Sequence, residues 1–376
     1  MGVLCSKSLR IDAIQAQTDA PMYCMRFLDA DHFVTAGSGQ MSLDGRDRND
    51  FIYIWRIVPA DVRLNTIPVN EDAWIRFQKV ATFDTCPWHT GYADVLCLSK
   101  AYEFVVGCCH GQGSTFFNTD TCAKFITVNR ERYFVIGDLN GQVHIFTFKW
   151  DAEEKKAVLS HSLQLHHSPV EHIASSLNRT TFSVARKTIC VWDVITPNTA
   201  YFAQQAPDDF SFCGLEVRKL WNKDLVYVGL NHYPTKNRNQ QRSRLQCYRR
   251  LLWSNNLSLI TTVRLAYEDV SVLTMDAEEQ WLAVGGKLGS ILLFDATSLQ
   301  LIFKFSPPDS SSAITALHLA DISILCSTKT VTVLALTNFQ HLTYYEVTPK
   351  YYNLWAIGGA IALAVHSCWF VTEYFM

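Results

Sequence analysis

Along most of this chain short apolar, strand-like runs are separated by turns, and the 3.6-residue period of an amphipathic helix is almost absent. The apolar runs recur in one unit. It is an apolar strand, a short turn, a second strand ending in small residues, another turn, a third apolar strand and a fourth, more polar one. Third strands read Ile52-Tyr53-Ile54-Trp55, Val143-His144-Ile145-Phe146, Ile189-Cys190-Val191-Trp192-Asp193 and Ile291-Leu292-Leu293-Phe294-Asp295. Ahead of them stand small-residue stretches: Thr35-Ala36-Gly37, Val135-Ile136-Gly137, Ser183-Val184-Ala185 and Ala283-Val284-Gly285-Gly286. In the regular parts the unit returns every ~40 to 50 residues, the period of WD-type propeller blades.

The pattern predicts an all-β fold, a seven-bladed β-propeller. Its blades are expected at residues 22–85, 93–120, 123–166, 170–205, 211–265, 270–305 and 313–347, the second and fifth being irregular. The fifth carries a polar insertion, Asn231–Arg250, and the seventh has candidates for four strands of its own before Val347. Ahead of the first blade, Leu9–Ile14 fits an edge strand. A twisted four-stranded sheet with two apolar faces is covered only by its neighbours, so closing a ring leaves short, protected edges.

After Lys350 this pattern breaks. Leu354–Thr372 holds no Asp, Glu, Lys or Arg, and as a helix it would reach about 28 Å, enough for a hydrocarbon core of about 30 Å. Trp355 and Trp369 lie near its ends, with Tyr351, Tyr352 and Tyr374 outside them, as an interfacial aromatic belt requires. The expectation is residues 1–350 as propeller, 354–372 as one transmembrane helix and 373–376 as a stub across the membrane. The alternative is a buried strand or helix of the last blade. Lys350 before the span and Glu373 after it agree with a cytoplasmic propeller. At the other terminus Gly2 and Ser6 fit an N-myristoylation pattern with Cys5 as a palmitoyl candidate, or else a frayed end.

Composition narrows the chemistry. The 376 residues are 48% hydrophobic with a formal charge of −2, which argues for a large core and against nucleic acid as a partner. Twelve cysteines without a CxxC pair fit buried free thiols in a reducing compartment. The sequence has no GxSxG, no Walker P-loop and no HExxH, so covalent catalysis is not expected. Cys108-Cys109-His110 is the nearest approach to a metal cluster, but neighbouring strand residues face opposite ways, which favours burial. His166-His167 reads as a blade-edge pair. Lys236, Arg238, Arg242, Arg244, Arg249 and Arg250 make the insertion basic, as a solvated loop or a contact for nucleic acid or anionic headgroups. Asn178-Arg-Thr and Asn256-Leu-Ser are glycosylation sequons, usable only on a lumenal domain.

One connection stands apart. Between the strand-like runs His32–Ala36 and Phe51–Trp55, the stretch AGSGQMSLDGRDRND is about three times the usual hairpin loop and carries Gly37, Gly39 and Gly45. It is either a functional loop or a mobile surface loop. Ala20-Pro21-Met22-Tyr23, then Ala36-Gly37-Ser38-Gly39, Gly45 and Asn49 in this stretch, resemble the entry and loop of the first blade in one family. Leu282-Ala-Val-Gly-Gly-Lys-Leu-Gly-Ser-Ile-Leu-Leu-Phe-Asp295 and Ser298-Leu-Gln-Leu301 resemble that family's L-G-x-G-x-x-x-G-S blade with its S-L-Q turn. Together with the C-terminal apolar segment they resemble the Sec-twelve / prolactin regulatory element-binding protein family, endoplasmic-reticulum guanine-nucleotide exchange factors of the COPII coat.

The resemblance implies a membrane-anchored factor that promotes GDP release from a Sar-type small GTPase, with other COPII components as further partners. It implies residence in the endoplasmic-reticulum membrane, the propeller facing the cytoplasm. It also implies a potassium ion held by loop carbonyls of Gly37, Ser38 and Gly39 and by Asn49, and an exchange tip formed by Met41, Leu43, Asp44, Gly45 and Arg46. The chain departs from the family's pattern within the loop. The run of four glycines is Gly37-Ser38-Gly39-Gln40 here, and Asp44-Gly45-Arg46-Asp47 stands where the family has K-T-G-I. Those departures leave a second reading, a membrane-tethered scaffold without exchange activity.

Overall fold

The computed structural model describes residues 9–17, 22–27, 31–37, 51–59, 61, 75–84, 93–97, 104–108, 120–129, 131–150, 155–176, 179–197, 200–232, 243–251, 256–265, 269–276, 279–305, 313–322, 330–337 and 341–349. Among them every regular element is a β-strand. After β1 (Leu9–Gln17), the chain forms successive antiparallel meanders. The first is β2 (Met22–Phe27), β3 (His32–Gly37), β4 (Phe51–Pro59) and β5 (Ile75–Asp84). β6 (Ala93–Cys97) and β7 (Phe104–Cys108) pair as a two-stranded sheet. Then come β8 (Asp120–Val128), β9 (Glu131–Asp138), β10 (Gln142–Trp150) and β11 (Lys155–Gln164), followed by β12 (Val170–Ser175), β13 (Thr180–Ala185), β14 (Thr188–Asp193) and β15 (Tyr201–Gln205). Two further four-stranded sheets are β16 (Phe210–Leu220), β17 (Lys223–His232), β18 (Arg244–Leu251), β19 (Ser258–Arg264) and β20 (Val270–Met275), β21 (Trp281–Gly286), β22 (Ile291–Asp295), β23 (Leu301–Phe305).

The last sheet is built differently from the expectation. β24 (Ile314–Ile322), β25 (Thr330–Thr337) and β26 (His341–Pro349) supply three strands, and the fourth is β1, antiparallel to β26 with Leu9 opposite Pro349. The C-terminal stretch therefore does not hold four strands of its own, and Leu9–Ile14 is an edge strand as expected. Asp120 opens β8 rather than closing the second unit. The fifth sheet also corrects the insertion. Asn231 and His232 end β17 and Arg244–Leu251 is β18, so both ends of the expected insertion are strands of this sheet, and 233–242 lie outside the described residues.

The repeat is visible in the ladders. In each four-stranded sheet one residue near the start of the first contributing strand is passed over by its partner: Tyr23, Thr121, Glu171, Cys213, Ser271 and Thr315. Such a bulge bends the strand and sharpens its twist. Where burial is described, second strands are buried almost end to end, β21 along its whole length, whereas the outer β19 is mostly exposed. This gradient explains the sequence pattern, continuous apolar runs in the second strand and alternation in the fourth.

The cores lie between sheets. Phe182, Val184 and Val191 pack with Phe212, Val226 and Val228 of the next sheet, and Leu225, Tyr227 and Leu245 pack with Leu273, Leu282 and Phe294 of the one after. First strands are neighbours in succession: β2 lies near β6, β6 near β8, β8 near β12, then β16, β20 and β24, and β24 near β2. The small residues make this approach possible. A Cβ on Gly137 would sit 2.6 Å from Val170 Cβ, and one on Gly285 would sit 2.6 Å from Val272 Cγ1 and 2.8 Å from Ile314 Cγ2. Gly285→Val should therefore destabilise the fold by about 1–3 kcal/mol or more through overpacking. A lower urea midpoint than the parent would show it, and an unchanged midpoint would remove this packing constraint.

Candidate functional site

The candidate site is the connection between β3 and β4. Gly37 and Phe51 are ladder partners, so both ends of residues 38–50 leave one end of a paired hairpin. Gly37 also pairs with Met22 of β2. Beneath them the sheet is tightly held. Trp55 Nε1 donates to Thr35 Oγ1 at 2.8 Å, with both residues buried. Phe33 stacks on Trp55 at 6.2 Å between centroids and meets Phe77 edge-on at 5.7 Å. Lys79 Nζ on β5 lies 4.5 Å from the Tyr53 ring centroid and 5.4 Å from that of Trp55, a cation–π arrangement that ties β5 to β4. Of the residues predicted to hold potassium, Gly37 alone is described. Ser38, Gly39 and Asn49, and the tip residues Met41, Leu43, Asp44, Gly45 and Arg46, lie outside the described residues. So do Cys109, His110 and the 354–372 segment. Among the described residues there is no group of three or more His, Cys, Asp or Glu placed to hold a metal ion, and no helix long and apolar enough to cross a membrane.

The Trp–hydroxyl bond under the loop recurs in the fourth sheet. Trp192 pairs with Thr181 and donates to Ser183, two residues on, just as Trp55 pairs with Phe33 and donates to Thr35. There the network extends to the preceding sheet connection. Ser183 Oγ is 2.8 Å from His166 Nε2, and His166 Nδ1 is 2.6 Å from Thr188 Oγ1. A neutral imidazole satisfies this set, with the Ser183 hydroxyl donated to Nε2 and Nδ1–H donated to Thr188. His166 is thus a buried knot joining β13 and β14 to the chain ahead of β12, a role that its pairing with His167 in sequence did not reveal. The signal was the hydroxyl residue opening two of the four small-residue stretches, Thr35 and Ser183.

Other predicted sites resolve into structural bonds. Arg250 is not a surface contact: its Nη1 donates to Asp224 Oδ2 at 3.0 Å, both side chains being buried, while Asp224 Oδ1 accepts from Ser176 of the neighbouring sheet at 2.8 Å. Arg250 Nε also reaches Tyr201 Oη at 3.3 Å. Arg244 lies over the Phe210 ring at 4.1 Å. The basic stretch is therefore partly consumed by the fold, with Lys236, Arg238 and Arg242 outside the described residues. Asn256 of the second sequon is exposed just ahead of β19. Cys122, Cys190, Cys213 and Cys247 are free thiols. Burial raises Cys190 to about 11 and Cys247 to about 12 and pushes Cys213 up as well, so these three thiols are protonated at neutral pH and supply no thiolate nucleophile.

No protein-family model matches the chain, and no curated protein matches it either.

Two stability predictions follow from the buried polar groups. Removing one partner of a buried ion pair strands the other, so Asp224→Asn should cost about 3–5 kcal/mol. Replacing both Asp224 and Arg250 with apolar residues should cost less than the two single changes summed, and urea unfolding of the four proteins reads this coupling. Burial, and secondarily His167, lower the pKa of His166 to about 4, and burial does the same for His172. A depressed base binds protons more readily unfolded than folded. Its stabilising contribution is intact above about pH 6.5, declines as pH falls, and is exhausted below about 4. The urea midpoint should drop across that window, and less steeply in His166→Gln. An equal slope in parent and variant would exclude His166 as the titrating group.

Proposed function

We propose that this chain is a membrane-anchored guanine-nucleotide exchange factor for a Sar-type small GTPase, built on a seven-bladed propeller. The seven successive sheets, the cyclic order of neighbouring first strands and the pairing of β1 with β26 support a closed ring. The apolar 354–372 segment supports a C-terminal anchor, with residues 373–376 beyond the membrane. The resemblance of the first-blade loop to the Sec-twelve family supplies the substrate class and the endoplasmic-reticulum location.

The observation that carries the reading is the Gly37–Phe51 ladder pair above the buried Thr35–Trp55 bond. An unusually long connector is gripped at both ends by a rigid hairpin. Exchange needs such a part and no acid, base or nucleophile. Small GTPases hold nucleotide at nM to pM, about 12–16 kcal/mol. Release is accelerated only by a partner that favours the open, nucleotide-poor state over the closed one. A connector pressed by a stiff scaffold against the switch segments supplies that preference, and a flexible one would yield instead. Met41 and Leu43 are its apolar tip residues, with Asp44, Gly45 and Arg46 completing the tip. Potassium held by carbonyls of Gly37, Ser38 and Gly39 and by Asn49 would stiffen the connector before contact.

The substitutions in the loop favour the second reading, a tethered scaffold without exchange activity. Release of a fluorescent GDP analogue from a Sar-type GTPase separates the two. With the full chain in potassium, release should accelerate about 5- to 150-fold, the usual range of coupling between two ligands. Deleting 40–47 should return it to the intrinsic rate while leaving the urea midpoint unchanged. No acceleration by the intact chain selects the scaffold, and equal rates in sodium and potassium remove the ion from the mechanism.

A further inference from the structure

The hairpin joining β16 to β17 ends in Leu220-Trp221-Asn222-Lys223, with Leu220 and Lys223 paired. Trp221 is 97% exposed. A tryptophan so placed gives the fold no packing, although it is among the side chains with most to gain from leaving water. Around it the same hairpin carries Arg218, Lys219 and Lys223. Nearby acids are already engaged: Asp224 is buried against Arg250, and Glu279 Oε2 accepts the backbone N–H of Lys219 at 3.0 Å. An exposed indole on a hairpin that also carries three basic residues matches the chemistry of a bilayer interface bearing anionic headgroups.

Topology puts this hairpin at one particular end of the molecule. Asn231 closes β17 beside the start of β16, and it exchanges two hydrogen bonds with Val270 at the start of β20, at 2.7 and 2.8 Å. Ser271 Oγ in turn donates to Ile314 O at the start of β24, at 2.7 Å. β16, β20 and β24 thus begin at a common end, and the Trp221 hairpin lies at the other. β26 runs in the direction of β24, so Pro349 lies at the hairpin's end, and Leu9 lies there too because it pairs with Pro349. The same end is tied across sheets by Arg218 Nη1 donating to Thr297 Oγ1 at 2.6 Å and Tyr227 Oη donating to Ala296 O at 2.6 Å. The polypeptide therefore leaves its last strand, toward the uncharged 354–372 segment, at the end that presents Trp221.

We infer that this end faces the bilayer, with Trp221 seated among the headgroups and Arg218, Lys219 and Lys223 against anionic lipid. The inference rests on the reading of 354–372 as a membrane anchor. It makes the ring lie down on the membrane by a second contact rather than swing from a single tether. The second-to-third strand connections, 38–50 among them, then point away from the lipid toward a GTPase in solution.

The test uses the full chain in vesicles of phosphatidylcholine and phosphatidylserine with brominated acyl chains, which quench indole fluorescence at short range. Flotation is read first. A chain that does not float with the vesicles lacks the anchor, and both readings fall. For a chain that floats, the emission lost in Trp221→Phe should be quenched by brominated lipid, and that quenching should weaken in Lys219→Glu/Lys223→Glu. Leu288, 62% exposed on the β21–β22 turn at the opposite end, provides the control. Leu288→Trp introduced into Trp221→Phe should add emission that brominated lipid does not quench. Unquenched Trp221 in a floating chain, or quenching of the tryptophan at 288, overturns this inference and leaves the anchor standing.

Discussion

The backbone at Gly137, Gly229 and Gly285 lies directly beneath the first strand of the sheet that follows, and this close approach governs the rest of the architecture. At Gly229 an added Cβ would meet Val270 Cγ1 at 3.0 Å and Cys213 Sγ at 3.2 Å, so even a methyl group requires its neighbours to give way. Because one sheet's second strand is roofed by the next sheet's first strand, second strands are buried on both faces and the cores form between sheets. Among the described residues most core clusters join two neighbouring sheets, while Phe125, Phe134 and Ile136 cluster within one. A sheet of this kind is stabilised mainly as a member of the series, as expected of repeats that cannot bury their apolar faces alone.

Hydrophobic contact is not directional and would allow successive sheets to slide. Buried polar bonds remove that freedom. Asn231 grips both backbone groups of Val270, Ser271 bridges Gly285 O and Ile314 O, and Ser176 donates across to Asp224. Each would leave an unpaired buried group if the sheets slipped, at about 1–3 kcal/mol apiece. The Trp55–Thr35 and Trp192–Ser183 bonds act within sheets in the same way, fixing second strand to third, the first of them near where the connector of interest departs. Rigidity at the base of 38–50 is thus a by-product of bonds that recur elsewhere for purely structural reasons.

Much of the fold was legible because period and residue size report packing directly. The stretch ending in Gly137 and the one containing Gly285 mark sites of close approach, and third strands ending in Trp or Phe mark where large side chains fill the inter-sheet core. Pairing between chain ends carries no such local mark. Nothing in Leu9–Gln17 shows that it belongs with His341–Pro349, so the last unit was credited with four strands from its own neighbourhood. Arg250 misled for a related reason: a run of cations looks solvated until its carboxylate partner, Asp224, is brought in from the adjacent strand. His166 was hidden because its partners, Ser183 and Thr188, lie on strands that only folding brings beside it. The candidate site was legible as an unusual length and composition between two strands. What the strands add is the grip at its ends.

The two ends of such a meander series are chemically unequal, and this matters more than any single residue for an exchange factor. Second-to-third strand connections emerge where the first strands begin. The chain's own first and last described strands meet the opposite end, with Leu9 against Pro349. An anchor attached there and a connector gripped by Gly37 and Phe51 are therefore separated by the length of a strand, several residues at about 3.3 Å each. On the proposed exchange reading, force applied by a GTPase to the connector would pass into β3 and β4 and along their hydrogen bonds, which resist shear collectively. A helical hinge or a disordered stalk in the same position would dissipate the differential binding on which nucleotide release depends, since the connector could retreat as easily as the switch segments could open. If the proposed anchor and exchange activity hold, a sheet ladder between membrane and connector would leave the GTPase as the softer partner, the condition under which binding is converted into opening.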